Sequence, residues 1–232
     1  MEIIHGINIV GFGLFIREFK CLVLGDLHLG LEASLGERGY LLPKANFSKL
    51  KRSLENIKVN YSVERVIFNG DIKHDFGTIS HEEWDDCLEL IDFFKDQEVI
   101  LIKGNHDKIT QIIAKKRNLM VVDYYKLGNI LICHGDVIID QEGDIIIIGH
   151  EHPAISFVEG PKIELYKCFL IGKFRGKDLI VIPSFSYLNI GSDVLKYERL
   201  SPYLQEGLGN FETFVVSDSE EAFYFGRIKD IS

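Results

Sequence analysis

The chain has 232 residues, 46% of them hydrophobic and 26% charged, and a formal net charge of -9 at pH 7. That length suits one domain spanning residues 1–232 with a generous core, and is short for two. The acidity argues against broad affinity for duplex nucleic acid, which needs surplus Lys and Arg, but leaves a nucleic-acid substrate open because bound cations would add local positive charge.

Ile7 to Ile16 predicts a hairpin turning at Gly11-Phe12-Gly13, and Cys21 to Leu24 a short apolar strand that stops at Gly25-Asp26. A loop carrying Gly30, Gly36 and Gly39 follows, and Pro43 opens a helix to about Asn60 with Phe47, Leu50, Leu54 and Ile57 at helical spacing. Val66 to Phe68 is the next buried strand. Ser80 with Glu83 reads as a capping box for a helix bearing Trp84, Leu88, Ile91 and Phe94. Val99 to Ile102 is a third strand, and Ile109 to Asn118 another helix.

From Met120 onward strands dominate: Met120 to Val122, Ile130 to Cys133, Ile145 to Ile148, Lys162 to Ile171 and Leu179 to Ile182. Two more are expected at Phe211 to Val216 and Ala222 to Ile228. Ser184 to Gly209 is a long stretch rich in Gly, Ser and Tyr, of the kind that is usually functional or mobile. Alternating strands and helices followed by strands predict an α/β fold with more than one sheet. Cys21, Cys87, Cys133 and Cys168 form no CxxC pair and read as small buried hydrophobes. The N-terminus lacks a basic start followed by a long apolar core, and no apolar run nears the roughly 18 residues of a membrane span. The expectation is a cytoplasmic protein with no membrane association.

Five short blocks carry chemistry: Asp26-x-His28, Gly70-Asp71, Gly104-Asn105-His106-Asp107, His134 and Gly149-His150-Glu151-His152. Each follows a stretch that reads as a buried strand, and catalytic groups in open α/β sheets collect at strand carboxyl ends. A lone Gly-Asp is commonplace in turns. The pair His150 and His152 is more telling, because residues two apart point the same way off an extended backbone. Oxygen and nitrogen donors without thiolate suit a pair of divalent cations, which hydrolyse phosphate esters by clamping the attacking and leaving oxygens.

The order DxH, GD, GNHD, H, GHxH resembles the calcineurin-like metallophosphoesterases. The spellings Gly25-Asp26-Leu27-His28-Leu29-Gly30, Gly70-Asp71-Ile72-Lys73-His74 and Gly149-His150-Glu151-His152-Pro153 are similar to its ICC-like branch, which includes phosphoesterases associated with a DNA ligase and a helicase. The resemblance implies a layered αββα sandwich of two mixed sheets flanked by helices. It implies one metal held by Asp26, His28 and His152, a second by Asn105, His134 and His150, and Asp71 bridging the two. Mn²⁺ is the first expectation, with Fe or Zn²⁺ also compatible with the donors. The nucleophile would be a hydroxide bridging the metals. His106 would sit over the phosphate and protonate the leaving oxygen, with Asp107 either orienting that imidazole or capping the following helix. The implied substrate is a phosphate diester, a nucleotide or single-stranded nucleic acid; a phosphomonoesterase and a non-catalytic scaffold are the alternatives. A link to a DNA-repair helicase or ligase is an analogy only, and no motif speaks to oligomeric state.

Around these motifs several residues carry two readings. His74 is either a substrate contact or a surface loop residue, and Arg38 either a bidentate phosphate clamp or an ordinary surface cation. Lys73 reads as solvated, His5 and His81 as ordinary, and Asp136 as support for the His134 loop. Tyr187, Tyr197 and Tyr203 would stack bases, line a dimer contact or, more simply, pack their segment down.

Overall fold

The computed structural model describes residues 1–37, 46–73, 81–105 and 110–231. Two mixed β-sheets form its centre. The first has the order β1 (Glu2–Ile4), β2 (Ile7–Val10), β3 (Gly13–Ile16), β4 (Cys21–Gly25), β5 (Arg65–Asn69), β6 (Glu98–Ile102), β7 (Met120–Val122). Neighbours pair antiparallel up to β4 and parallel from β4 onward. Strands of a parallel sheet are covered on both faces, so β4, β5 and β6 read as nearly unbroken apolar runs and are buried almost throughout. Helices α2 (Asn46–Asn60), α3 (His81–Phe93) and α4 (Thr110–Arg117) connect them. Leu50, Leu54 and Ile57 of α2 join Cys87, Leu90 and Ile91 of α3 in the main core, the i, i+4, i+7 stripe of an amphipathic helix.

The stretch after the first motif contains a helix, α1 (Leu31–Glu37), where the sequence suggested a loop. Gly36 lies inside it, and an interior glycine costs a helix about 1 kcal/mol relative to Ala, which is why this segment looked irregular.

The second sheet has β8 (Tyr124–Leu127), β9 (Ile130–Cys133), β10 (Ile145–Ile148), β11 (Pro153–Glu159), β12 (Lys162–Phe174), β13 (Lys177–Val181), β14 (Ser192–Asp193), β15 (Glu212–Val216) and β16 (Ala222–Arg227), in the order β14-β11-β12-β13-β10-β9-β8. β15 pairs with β12 and with β16. Within it β9, β10 and β13 are parallel. Its strands alternate between two cores. Ile130, Ile132, Ile147 and Ile180 join the main core, while Leu131, Cys133, Ile146 and Ile148 face a second cluster completed by Val194, Tyr203, Leu204, Leu208 and Phe211. The outer cover of this sheet is therefore the irregular chain from Val194 to Phe211, with the 3-10 turn Pro202–Leu204 and the short helix α5 (Ile228–Ile231). All four cysteines are free and buried. Among the described residues no helix is long and apolar enough to cross a membrane.

A candidate two-metal centre

The parallel cores of the two sheets deliver the motifs. In register, Gly25 lies beside Asn69 and Asn69 beside Ile102, so Asp26, Asp71 and Asn105 leave adjacent strands one, two and three residues beyond a common line. In the second sheet Cys133 pairs with Ile148, which puts His134 and His150 just past neighbouring strand ends.

The backbone at these positions is unusual. Asp26, His28, Asp71, His150 and His152 all have positive φ, between 39° and 64°. Left-handed backbone costs a non-glycine residue roughly 1–3 kcal/mol and persists only where its surroundings impose it. Here main-chain bonds do so: His28 N–H donates to Asp71 O at 2.9 Å, Gly149 N–H to His134 O at 2.8 Å and Ser192 N–H to His152 O at 2.9 Å. Backbone strain at five Asp and His residues of the motifs marks a site under functional constraint.

The motif glycines have a reason too. A methyl on Gly70 would stand 2.0 Å from His134 Nδ1, one on Gly104 2.1 Å from Asp71 Oδ1, and one on Gly149 2.4 Å from Asp26 Oδ2. Each glycine thus clears space for a donor belonging to a different motif. Only Gly70 among the three also needs positive φ, at 78°.

Two trios result, Asp26 with His28 and His152, and Asp71 with His134 and His150; in each, the donor atoms lie within 4.8 Å of one another. In the first, His28 Nε2 is 3.3 Å from His152 Nε2, which is 3.4 Å from Asp26 Oδ1. In the second, His134 Nε2 is 3.1 Å from His150 Nδ1, 3.0 Å from Asn105 Oδ1 and 3.6 Å from Asp71 Oδ2. Bonds of about 2.0–2.2 Å to one cation put neighbouring ligand atoms about 3.0–3.5 Å apart. The donor spacings fit that requirement. The trios are joined: His134 Nδ1 lies 3.5 Å from Asp26 Oδ1, and the His150 N–H donates to Asp26 Oδ2 at 2.9 Å. Asp26 Oδ1 and His134 Nδ1 are buried and have no hydrogen-bond partner among the described residues, a costly state that a cation would relieve.

Protonation suits the same role. Burial alone would raise the Asp26 carboxyl, but the imidazoles of His152, His134 and His28 outweigh it and hold the pKa at about 2. Burial, reinforced by His134, pushes His150 down to about 4, so at neutral pH its ring keeps the lone pair a metal needs.

His106 and Asp107 lie outside the described residues, as do Arg38, His74, and Ser80 of the expected capping box. Lys73 corrects the sequence reading. It is 1% exposed, not solvated, and its Nζ lies 3.5 Å from Glu83 Oε1. Lys73 pairs with Leu29 in a parallel bridge that extends the sheet inward, and the Glu83 carboxylate is buried against it. Asp136 makes no hydrogen bond to a described residue; the His134-Gly135 loop is held instead by Ser201, whose hydroxyl donates to Gly135 O at 2.7 Å. His5 is fully exposed, as expected of an ordinary residue.

The segment from Ser184 to Gly209 is a strap over the site, and its contacts escaped the sequence reading. Ser184 Oγ donates to Asp26 O at 2.5 Å. The Asn189 amide lies 3.0 Å from His152 Nδ1 and fixes a ring whose Nε2 faces Asp26 and His28. Buried Glu151, between the two histidines of its motif, accepts from the N–H groups of Leu200 and Ser201 at 2.9 and 2.8 Å. Lys167, buried, donates to Ser184 O at 2.6 Å and to Ser186 O. Burial pulls its pKa down to about 7, against the pull of Asp26. Tyr203 is buried, its hydroxyl accepting from the Ile139 N–H at 2.8 Å, while Tyr197 is exposed. A carboxylate between two ligands was the one available signal; Asn189 is 37 residues from its histidine and gave none.

Two parallel strand cores converging on paired N/O donor sets define a candidate two-metal site. The profile of the calcineurin-like phosphoesterase family matches residues 19–160, and the chain belongs to that family. The solved nuclease MPE from Pseudomonas putida shares the fold, with a TM-score of 0.66 and 17% identity over 94% of each chain. Vacuolar protein sorting 29 from Cryptosporidium parvum gives a TM-score of 0.40 and 17% identity, covering 89% of this chain and 97% of that one. No curated protein matches the sequence significantly.

Proposed function

We propose that the chain is a two-metal phosphodiesterase acting on nucleotides or single-stranded nucleic acid. The observation that carries this reading is the opposed pair of donor trios at ligand-edge spacing, linked through Asp26 and His134. Asp26, His28 and His152 would hold one cation, Asn105, His134 and His150 the other, and Asp71 would be shared. When bound, the pair supplies an activated water and neutralises charge building on the phosphate. Mn²⁺ is the favoured ion; Fe and Zn²⁺ suit the same donors.

The chain's own residues do the rest. His150 stays unprotonated and Asp26 ionised across the working pH range. Asn189 and Glu151 keep the His152 and His150 loop in place. His106 would donate the proton to the leaving oxygen, with Asp107 beside it in the same motif. A groove of about 360 Å³ lined by Lys103, Gly104, His134 and Asp136 opens beside the second trio and gives a substrate phosphate room to approach. The Pseudomonas putida protein is named a nuclease, which favours the diester reading. Four buried free cysteines accord with a reducing cytoplasm.

Turnover of bis(p-nitrophenyl) phosphate, p-nitrophenyl phosphate and single-stranded DNA with added Mn²⁺ tests the proposal. The diester and the DNA should be cleaved in preference to the monoester, by protein carrying two metal equivalents. A clear monoester preference, or no bound metal, would overturn it.

A further inference from the structure

On the other side of the strap lies a cavity of about 590 Å³, well within the range of sites that hold a small organic ligand. One wall is a face of α2 carrying Lys49, Arg52 and Asn56, at i, i+3 and i+7. The opposite wall is aromatic, with Tyr166 and Tyr187 beside the edge of Phe12. Buried Lys167 lines it as well, its Nζ 4.6 Å from the centre of the Phe12 ring.

The cations are the informative part. Several surface cations are ion-paired: Lys51, also on α2, with Glu89 of α3, Lys103 with Asp123, Arg117 with Asp92. Lys49 and Arg52 are exposed and form no ion pair with a described residue. Of the two carboxylates on the walls, Glu220 is already occupied, since Ser53 Oγ donates to it at 2.6 Å and the Tyr187 hydroxyl donates to its other oxygen. Both carboxylates keep their charge, and Lys49, Arg52 and Lys167 together outnumber them by one. The cavity also shares a wall with the metal centre. The chain from Ser184 to Ile190 touches Asp26 and His152 through Ser184 and Asn189, and reaches the cavity through Tyr187 and Ile190.

Building on the diesterase reading above, we infer that this cavity is a nucleotide subsite for the substrate strand. Lys49 and Arg52 take a backbone phosphate that is not cleaved, and a base stacks on the Tyr166 side. Two unpaired cations give electrostatic purchase, and an aromatic face tolerates any base.

The test is binding rather than turnover. A fluorescein-labelled single-stranded (dT)10 is titrated onto the full chain in EDTA and followed by anisotropy. Lys49→Ala/Arg52→Ala should weaken binding at least about tenfold and flatten the slope of log K against log salt by about 0.7, the contribution of one phosphate contact on a single strand. Tyr166→Ala should weaken it by roughly 5- to 100-fold with the salt slope unchanged. Lys115→Ala/Lys116→Ala, on α4, is the control for general charge and should bind as the parent does. The inference is overturned if the parent chain does not bind, if the α2 double variant binds equally well, or if the α4 variant loses as much. Oligonucleotide binding that follows this pattern without Mn²⁺-dependent diester cleavage would remove the proposed activity and leave the subsite standing.

Discussion

Gly104→Ala changes no donor atom and no charge, yet should disable the second metal site. The added methyl would sit 2.1 Å from Asp71 Oδ1 and 2.4 Å from the Asp71 main-chain nitrogen. Ordinary contact begins at 3.4 Å, so the Oδ1 contact is about 1.3 Å too close, and misplacements near 1 Å cost on the order of 100-fold in rate. Rotating the Asp71 carboxylate cannot relieve this, because the backbone nitrogen is also in the way. Asp71 must move as a unit, away from His134 and His150. Gly104 lacks positive φ, so no backbone strain is added, and overpacking of this kind costs about 1–3 kcal/mol of stability. The expected variant folds, retains fewer than two Mn²⁺ equivalents after dialysis, and hydrolyses bis(p-nitrophenyl) phosphate at least about 100-fold more slowly. Gly36→Ala is the matched control. No atom of the described residues lies within 4 Å of its added methyl, so it should leave metal content untouched and stabilise α1 by up to about 1 kcal/mol. Two tightly held Mn²⁺ ions in Gly104→Ala, with parental turnover, would refute the account of the motif glycines.

Replacing His106 with Ala should leave both metals bound while lowering turnover by about 10²–10⁴-fold; an unchanged rate would remove it from the mechanism. Asn189→Ala frees the His152 ring, and metal affinity at one site should fall by about 10–100-fold in a Mn²⁺ titration, whereas a purely structural residue would lower Tm and leave that affinity alone. Adding Mn²⁺ to chelated protein should raise Tm in a concentration-dependent way, by an amount equivalent to about 2.7 kcal/mol per site at 100 times Kd, and a flat response would contradict the site. In EDTA, pH sensitivity follows from His150, whose folded pKa of about 4 lies below its ordinary 6.5. The unfolded chain takes up that proton first, so the His150 contribution is fully present above pH 6.5 and lost as pH falls toward 4. Tm should drop across that window, and a His150→Gln variant should show a shallower drop.

The strands that carry the motifs are legible in the sequence because they are buried on both faces. β4, β5, β6, β9 and β10 each present an unbroken apolar run that ends abruptly at a polar motif, and that ending locates the site. The strands that went unread lie at sheet edges or are half exposed. β1 is three residues with an exposed start, β14 is two residues, β8 begins half-buried with Tyr-Tyr, and β11 runs from buried to exposed along its length. Neither a continuous run nor a clean alternation survives under those conditions. Lys73 was misread by residue type, since nothing in Asp71-Ile72-Lys73 announces that Glu83 of α3 lies buried against it.

The site divides along the same line. Donor identity is local, so the seven candidate donor side chains can be proposed from five short spellings. What makes them a site is non-local. The motif glycines are one example: Gly70 is defined by His134, Gly104 by Asp71 and Gly149 by Asp26, so each is intelligible only once the other motif is in place. The strap is another, because Ser184, Asn189 and Ser201 act on loops formed 37 to 158 residues earlier in the chain. A consequence follows for substitution in this family fold. Exchanging one donor for another of similar chemistry leaves the strained loops and their spacing in place and should alter metal preference first. Adding bulk at a glycine, or loosening the strap, displaces donors and should lower metal affinity before it alters metal preference. On this reading the donors would set which ion is preferred, and the residues that touch no ion would set how tightly it is held.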